Sequence, residues 1–176
     1  MKDRKLLNVE LGRLTAEEYR LNRAESGLVL VLDNVRSAHN VGSAFRTSDA
    51  FGVDKLYLGG ICPVPPSPEL RKVALGAEEV VPFEHVEDVV ALVGRLKEEG
   101  YTVVAVEQTV HSVKLDRFRR EPGKKYALVF GHEVEGVQQS VVDACDFSLE
   151  IPQHGTKHSL NVSVSVGVVL WGIISK

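Results

Sequence analysis

Three stretches in the C-terminal half carry the residues best suited to chemistry: Gly131-His132-Glu133-Val134-Glu135-Gly136, Ile151-Pro152-Gln153-His154-Gly155 and Ser159-Leu160-Asn161-Val162-Ser163. Gly131 and Gly136 let a ligand approach the backbone closely, while the Glu133/Glu135 carboxylates can accept its hydroxyls or amines. A second arrangement is also open. His132, Glu133, His154 and His158 are metal-ligating types on neighbouring segments, but they lack the H-E-x-x-H order, and Gly155 disfavours a helix between the last two histidines. The expectation is therefore no metal. No G-x-G-x-x-G follows the first strand, which disfavours a nicotinamide-binding domain. On spacing alone the same stretches also read as ordinary strand-to-helix loops.

The elements around these stretches follow from their apolar runs. Ala127–Phe130 and Phe147–Ile151 read as buried strands that end abruptly in segments bearing Gly or Pro. Loops at such strand ends line the edge of an open α/β sheet where ligands bind. Further strands are predicted at Leu28–Leu32, Leu56–Leu58, Val80-Val81 and Tyr101–Val106. Helices are predicted from Val41 to Phe51, Glu69 to Leu75, Val86 to Glu99 and Val137 to Ala144. The proline-rich segment Cys62–Pro68 can only be a stiff loop. Strands and helices alternate, so the expected class is α/β, a parallel sheet with helices on both faces.

Composition sets bounds on the rest. The chain has 176 residues, 44% hydrophobic and 26% charged, with a formal net charge of −3. One domain with a sizeable core is expected, and any polyanionic partner must meet a local basic face rather than a basic molecule. Two cysteines, Cys62 and Cys145, suggest reduced thiols and not a disulfide framework. The N-terminus lacks a signal-peptide core, and the C-terminal apolar run is too short to span a bilayer, so a cytoplasmic protein that avoids membranes is expected. Residues 1–26 read as an N-terminal helical extension starting near Thr15, with cations Lys2, Arg4, Lys5, Arg13, Arg20 and Arg23 and a thin apolar face of Leu14, Tyr19 and Leu21. Residues 27–176 form the main domain. Two more basic groups are the Arg71-Lys72 pair and Arg117-Phe118-Arg119-Arg120. Any one of these clusters also reads as a solvated surface run.

GHEVEG, IPQHG and SLNVSVS, in this order, resemble the second and third motifs of the SpoU (TrmH) family, RNA ribose 2′-O-methyltransferases of the SPOUT superfamily. That family's first motif, Asn-x-Gly-x-x-x-Arg, is matched by Asn40-Val41-Gly42-Ser43-Ala44-Phe45-Arg46. The resemblance covers the chain from about Leu28 to its end. It implies a C-terminal trefoil knot, the SPOUT α/β-knot, which topology rules would have argued against. It also implies S-adenosyl-L-methionine as cofactor, tRNA or rRNA as partner, and a homodimer.

Carried over residue by residue, the resemblance assigns cofactor contacts to Glu107, Gly131, Ile151 and Leu160, and catalytic roles to Arg46, Asn40, Glu133, Ser159 and Asn161. A guanidinium stays protonated at working pH, so Arg46 suits a bidentate phosphate clamp better than a base. Asn40 and Asn161 are expected to hydrogen-bond across the loops, and Glu133 either to hold Arg46 or to contact substrate. Arg46, Arg71 and Lys72 are the expected RNA contacts. One departure is Gln153, where a methionine is common, and His132 and His154 add groups able to take the ribose proton. The alternative function is a non-catalytic RNA-binding SPOUT protein.

The last segment resists pattern reading. Val162, Val164, Val166 and Val168 alternate like a strand, whereas Ser159, Ser163 and Gly167 recur every fourth residue like a close-packing helix stripe. The resemblance implies helix.

Overall fold

The computed structural model describes residues 3–22 and 24–175. Lys2 and Arg23 lie outside the described residues, as do the side chains of Arg20 and Leu21. Among the described residues seven strands form one parallel sheet: β1 (Leu28–Asp33), β2 (Lys55–Gly59), β3 (Phe83–Val86), β4 (Tyr101–Val106), β5 (Val113–Lys114), β6 (Lys125–Phe130) and β7 (Phe147–Glu150). Their order is β3-β2-β1-β6-β4-β7-β5. Every residue of β1 is buried, which accounts for its unbroken apolar run.

The two faces of β1 feed two cores. Leu28, Leu30 and Leu32 pack with helices α2 (Ala38–Ala50), α3 (Pro68–Ala74) and α7 (Val162–Ile174), whereas Val29 and Val31 pack with α5 (Val89–Glu98) and α6 (Gln139–Ala144). This two-residue alternation is what a strand buried on both faces must show. Gly42 brings α2 close to α3, since a Cβ there would sit 2.6 Å from the Leu70 carbonyl oxygen.

Several boundaries differ from expectation. Helix α2 begins at Ala38 and not Val41, because the Ser37 side chain accepts the Asn40 amide and caps it. Val80-Val81 is not a strand: Ala77–Val80 forms a short helix, α4, and pairing with β2 starts only beyond Pro82. Val86 closes β3, and α5 starts after Asp88, whose side chain accepts the Ala91 amide. The two-residue edge strand β5 has no apolar pattern to announce it. The last segment is helix, as the resemblance implies. Val166, Val169, Leu170 and Ile173 are buried on one of its faces, a helical spacing that overrides the valine alternation.

The N-terminal extension contains a 3-10 turn, Asn8–Leu11, and helix α1, Ala16–Asn22. Thr15 and Glu18 cap α1 reciprocally: Glu18 accepts the Thr15 amide at 2.8 Å, and Thr15 Oγ1 accepts the Glu18 amide at 3.2 Å. Among the described residues no helix is long and apolar enough to cross a membrane.

Candidate active site

Strands β6, β4 and β7 are neighbours and end at the same edge of the sheet. Their C-terminal ends and the loops beyond them line a cleft of about 320 Å³. Glu107 follows β4, Gly131 to Gly136 follow β6, Ile151 follows β7, and Ser159 and Leu160 precede α7; all of them line it. The four expected cofactor contacts thus come together from segments distant in sequence. Phe130, Leu149 and Val162 supply apolar wall.

The β6 loop is folded back on itself. His132 and Gly136 exchange backbone hydrogen bonds at 2.9 Å in both directions. Gly136 has φ +72°, and a Cβ there would sit 2.3 Å from Glu107 Oε2. Glu107 itself is fixed, because Oε2 accepts the Val137 amide at 3.0 Å and Oε1 the Gln108 amide at 2.8 Å.

Beside the cleft a hydrogen-bonded chain links all three motifs. Asn40 Nδ2 donates to Glu133 Oε1 at 2.8 Å, and Asn161 Nδ2 donates to Asn40 Oδ1 at 3.2 Å. Asn161 in turn caps α7 by accepting the Ser163 amide at 2.8 Å. Both asparagines thus hydrogen-bond across the loops as expected, and one of these bonds joins them to each other. Of the two expectations for Glu133, holding Arg46 is corrected: its carboxylate accepts the backbone amides of Arg36 (3.2 Å) and Ser37 (3.0 Å) just before α2. An anion there also matches the positive end of a 13-residue helix.

Burial alone would raise the pKa of Glu133, but the Asn40 amide and the backbone amides outweigh it and hold the carboxyl below its ordinary value. The stabilisation is present above the ordinary carboxyl range and is lost as pH falls through the lowered native value. Glu133→Gln should cost about 1–3 kcal/mol at pH 7, and its deficit should shrink towards acid pH, as read by urea unfolding at several pH values.

Arg46, Arg71 and Lys72 do not line the cleft. Arg46 is exposed on α2 and makes no hydrogen bond or ion pair with a described residue. Arg71, 72% exposed, is paired with Glu79 at 3.1 Å and more loosely with Glu78 at 3.8 Å. Arg4 of the N-terminal cluster is likewise held by Glu10 at 2.7 Å. Arg120 is spent on structure, donating to the Ser26 carbonyl and lying 5.9 Å over the Tyr126 ring.

Two positioning residues, Asp33 and Gln138, are not among those the sequence singles out. Asp33, fully buried at the end of β1, accepts the Gln138 amide at 2.9 Å and its Nε2 at 3.2 Å, tying β1 to the segment beyond Gly136. The signal for it is a carboxylate closing an apolar strand at the sheet's ligand edge. Among the described residues no group of three or more His, Cys, Asp or Glu could hold a metal ion.

The model of the SpoU rRNA methylase family matches residues 27–171. The 23S rRNA (guanosine-2'-O-)-methyltransferase RlmB of Nitrosomonas europaea is 37% identical over 161 residues, 89% of this chain and 59% of that protein. The same-named protein of Pseudomonas putida is 34% identical over 161 residues, 91% of this chain and 63% of that protein. The chain thus spans less than two thirds of the length of these relatives. Among solved structures, the A. aeolicus TrmH/SpoU tRNA modifying enzyme superposes with TM-score 0.78 at 30% identity, covering 89% of this chain and 79% of that one. An AdoMet-bound rRNA methyltransferase from Sinorhizobium meliloti gives TM-score 0.77 at 26% identity, covering 85% and 56%.

Proposed function

Because the chain belongs to the SpoU rRNA methylase family, we propose that it transfers a methyl group from S-adenosyl-L-methionine to a ribose 2′-hydroxyl of tRNA or rRNA, in the cytoplasm. The observation that carries this reading is the convergence of Glu107, Gly131, Ile151, Ser159 and Leu160 on one cleft at the ligand edge of the sheet. The cleft fits the cofactor's chemistry. Among the described residues four glutamates and no lysine or arginine line it, which suits a cation, and its glycine-bounded loop offers close backbone approach.

When bound, the cofactor supplies an electrophilic methyl on a sulfonium. Charge is lost as that methyl meets the developing alkoxide, so orientation in a water-poor site matters most. Phe130, Leu149, Ile151 and Leu160 provide the apolar wall. Asn40, Glu133 and Asn161 act by positioning, since each is bound to another part of the motif chain. Arg46, unpaired with any described residue, clamps a phosphate of the RNA and orients the ribose.

In this reading residues 1–26 are an RNA-contacting extension, 27–176 the methyltransferase domain, and the C-terminal segment is knotted. Support for the knot is the path of the chain: after β7 it passes the end of β4, where Gln108 Nε2 donates to the His158 carbonyl, before α7 packs on α2. Binding of labelled donor, followed by mapping of methylation on total RNA, tests the function. Failure to bind donor would overturn it, and binding without transfer would leave a non-catalytic RNA-binding protein.

The protein acts as a homodimer in this reading, the second subunit supplying basic surface and completing the site. Support comes from α7, whose outer face exposes Val164, Val168, Trp171 (63%) and Ile174, with Leu160 one turn before. Gly167 lies on this helix, and a Cβ there meets nothing within 4 Å in the single chain. Gly167→Leu should therefore leave the subunit folded and weaken association. Light scattering checks this: a monomeric mass for the wild type at micromolar concentration would rule the dimer out.

For RNA, Arg71 and Lys72 remain the proposed contacts, although Arg71 must exchange Glu79 for phosphate. Lys72 makes no ion pair with a described residue. Alanine at both positions should weaken RNA binding across sequences and flatten its salt dependence by roughly one unit of slope for each phosphate no longer neutralised. A chain starting at Ser26 tests the extension the same way. If both keep wild-type affinity and slope, the RNA path lies elsewhere, over Arg117 and Arg119.

A further inference from the structure

We propose that His132 is a positioning residue whose imidazole fixes the β6 loop of the cleft, and does so only while its Nδ1 is unprotonated. Nδ1 accepts two backbone amides of its own loop, Val134 at 3.2 Å and Glu135 at 3.3 Å. Neither amide has another acceptor among the described residues. The main chain of His132 is paired both ways with Gly136, so one residue closes the loop through backbone and side chain together. A neutral imidazole has one acceptor nitrogen, and two donors aimed at Nδ1 place its proton on Nε2.

Two consequences follow. First, Nδ1 is occupied and cannot take the ribose proton without releasing the loop, which removes one of the two histidines suggested for that task. Second, protonation turns Nδ1 into a donor facing two donors, so all three must separate. Residues 131–136 form a continuous wall of the cleft, and opening them alters the surface offered to a ligand.

Other charged groups share the cleft and are distinguishable. Glu133 and Glu135 lie on the same loop, Glu107 comes from β4, Glu150 from β7 and His158 from the segment before α7. Glu107 and Glu133 are bound to backbone amides, and Glu150 to Ser112 and Lys114. His158 is the second histidine that lines the cleft and serves as the control.

The loop geometry stands alone, whereas its effect on the donor rests on the function proposed above. In ¹⁵N-labelled wild type without ligand, the Val134 and Glu135 amide resonances should move as the pH is lowered from 8 to 5. His132→Asn should abolish that movement, because Oδ1 can accept the same amides and does not titrate; His158→Ala should preserve it. S-adenosyl-L-methionine should bind wild type about five-fold more weakly at pH 5.5 than at pH 8, the size of one net hydrogen bond, while His132→Asn should lack this difference beyond any change intrinsic to the donor. His132→Ala should bind weakly at both pH values. Static amides in wild type, or an unchanged titration in His132→Asn, would overturn the assignment. Absence of donor binding to wild type at either pH would instead overturn the proposed function, with the amide titration still deciding the role of His132.

Discussion

Arg46→Ala is expected, under the proposed function in which the guanidinium clamps a phosphate and orients the ribose, to lower methyl transfer by about 10²-fold or more, the size of effect that a misplaced reacting group carries. Donor affinity should stay within a few-fold of wild type. The asymmetry follows from placement: Arg46 is exposed on α2 and absent from the cleft lining, while the backbone-rich walls at Gly131, Ile151 and Leu160 are untouched by its removal. The fold should be indifferent as well, because the side chain makes no hydrogen bond or ion pair with a described residue. Arg46→Lys should remain poor, since an ammonium cannot reproduce the planar two-pronged contact with phosphate. Single-turnover methylation, with donor titration in parallel, separates the two quantities. Normal turnover in the alanine variant would remove Arg46 from the reaction.

How legible the molecule is depends on the range of the interactions that decide each part. Strands β1, β4 and β6 are buried on both faces, so their apolar runs suffice to mark them. Val80-Val81 misleads because β-branched residues suggest a strand only where a partner strand is at hand, and β2 pairs only from Phe83 onward. The C-terminal helix shows the opposite conflict, in which burial of Val166, Val169, Leu170 and Ile173 overrides an alternation of valines. In the candidate site, the glycines, asparagines and Glu133 are visible as types with a chemistry. Their partners are not, because those lie up to 121 residues away, as between Asn40 and Asn161. Short range does not guarantee legibility either: the Arg71–Glu79 and Arg4–Glu10 pairs, eight and six residues apart, depend on how the turns between them fold, and they make the basic clusters less free than a string of cations implies. Nothing in the sequence announces that His132 accepts the amides of Val134 and Glu135, since a histidine in a loop has two nitrogens and many uses.

The steric core of the cleft predicts the second large effect. A Cβ on Gly131 would sit 2.0 Å from the carbonyl carbon of Gly136 and 2.1 Å from the Val137 nitrogen, distances no real side chain tolerates. Both obstacles are backbone, so rotamer changes cannot relieve them. Nor can the loop simply widen, because the paired His132–Gly136 hydrogen bonds hold it on one side and Glu107, accepting the Val137 amide at 3.0 Å, on the other. Gly131→Ala must therefore break part of this closure, at about 1–3 kcal/mol of stability, the usual cost of forcing extra atoms into a packed site. Because the displaced atoms line the cleft, donor affinity should fall by about tenfold or more even where the variant stays folded, since a binding deficit of about 1.4 kcal/mol suffices for that. Gly155→Ala serves as the control: it lies in the neighbouring loop, yet a Cβ there meets nothing within 4 Å. Thermal unfolding and donor titration on the two variants measure both effects. Equal behaviour of the two alanine variants would mean that the close approach of Gly131 to Gly136 is not what shapes the cleft.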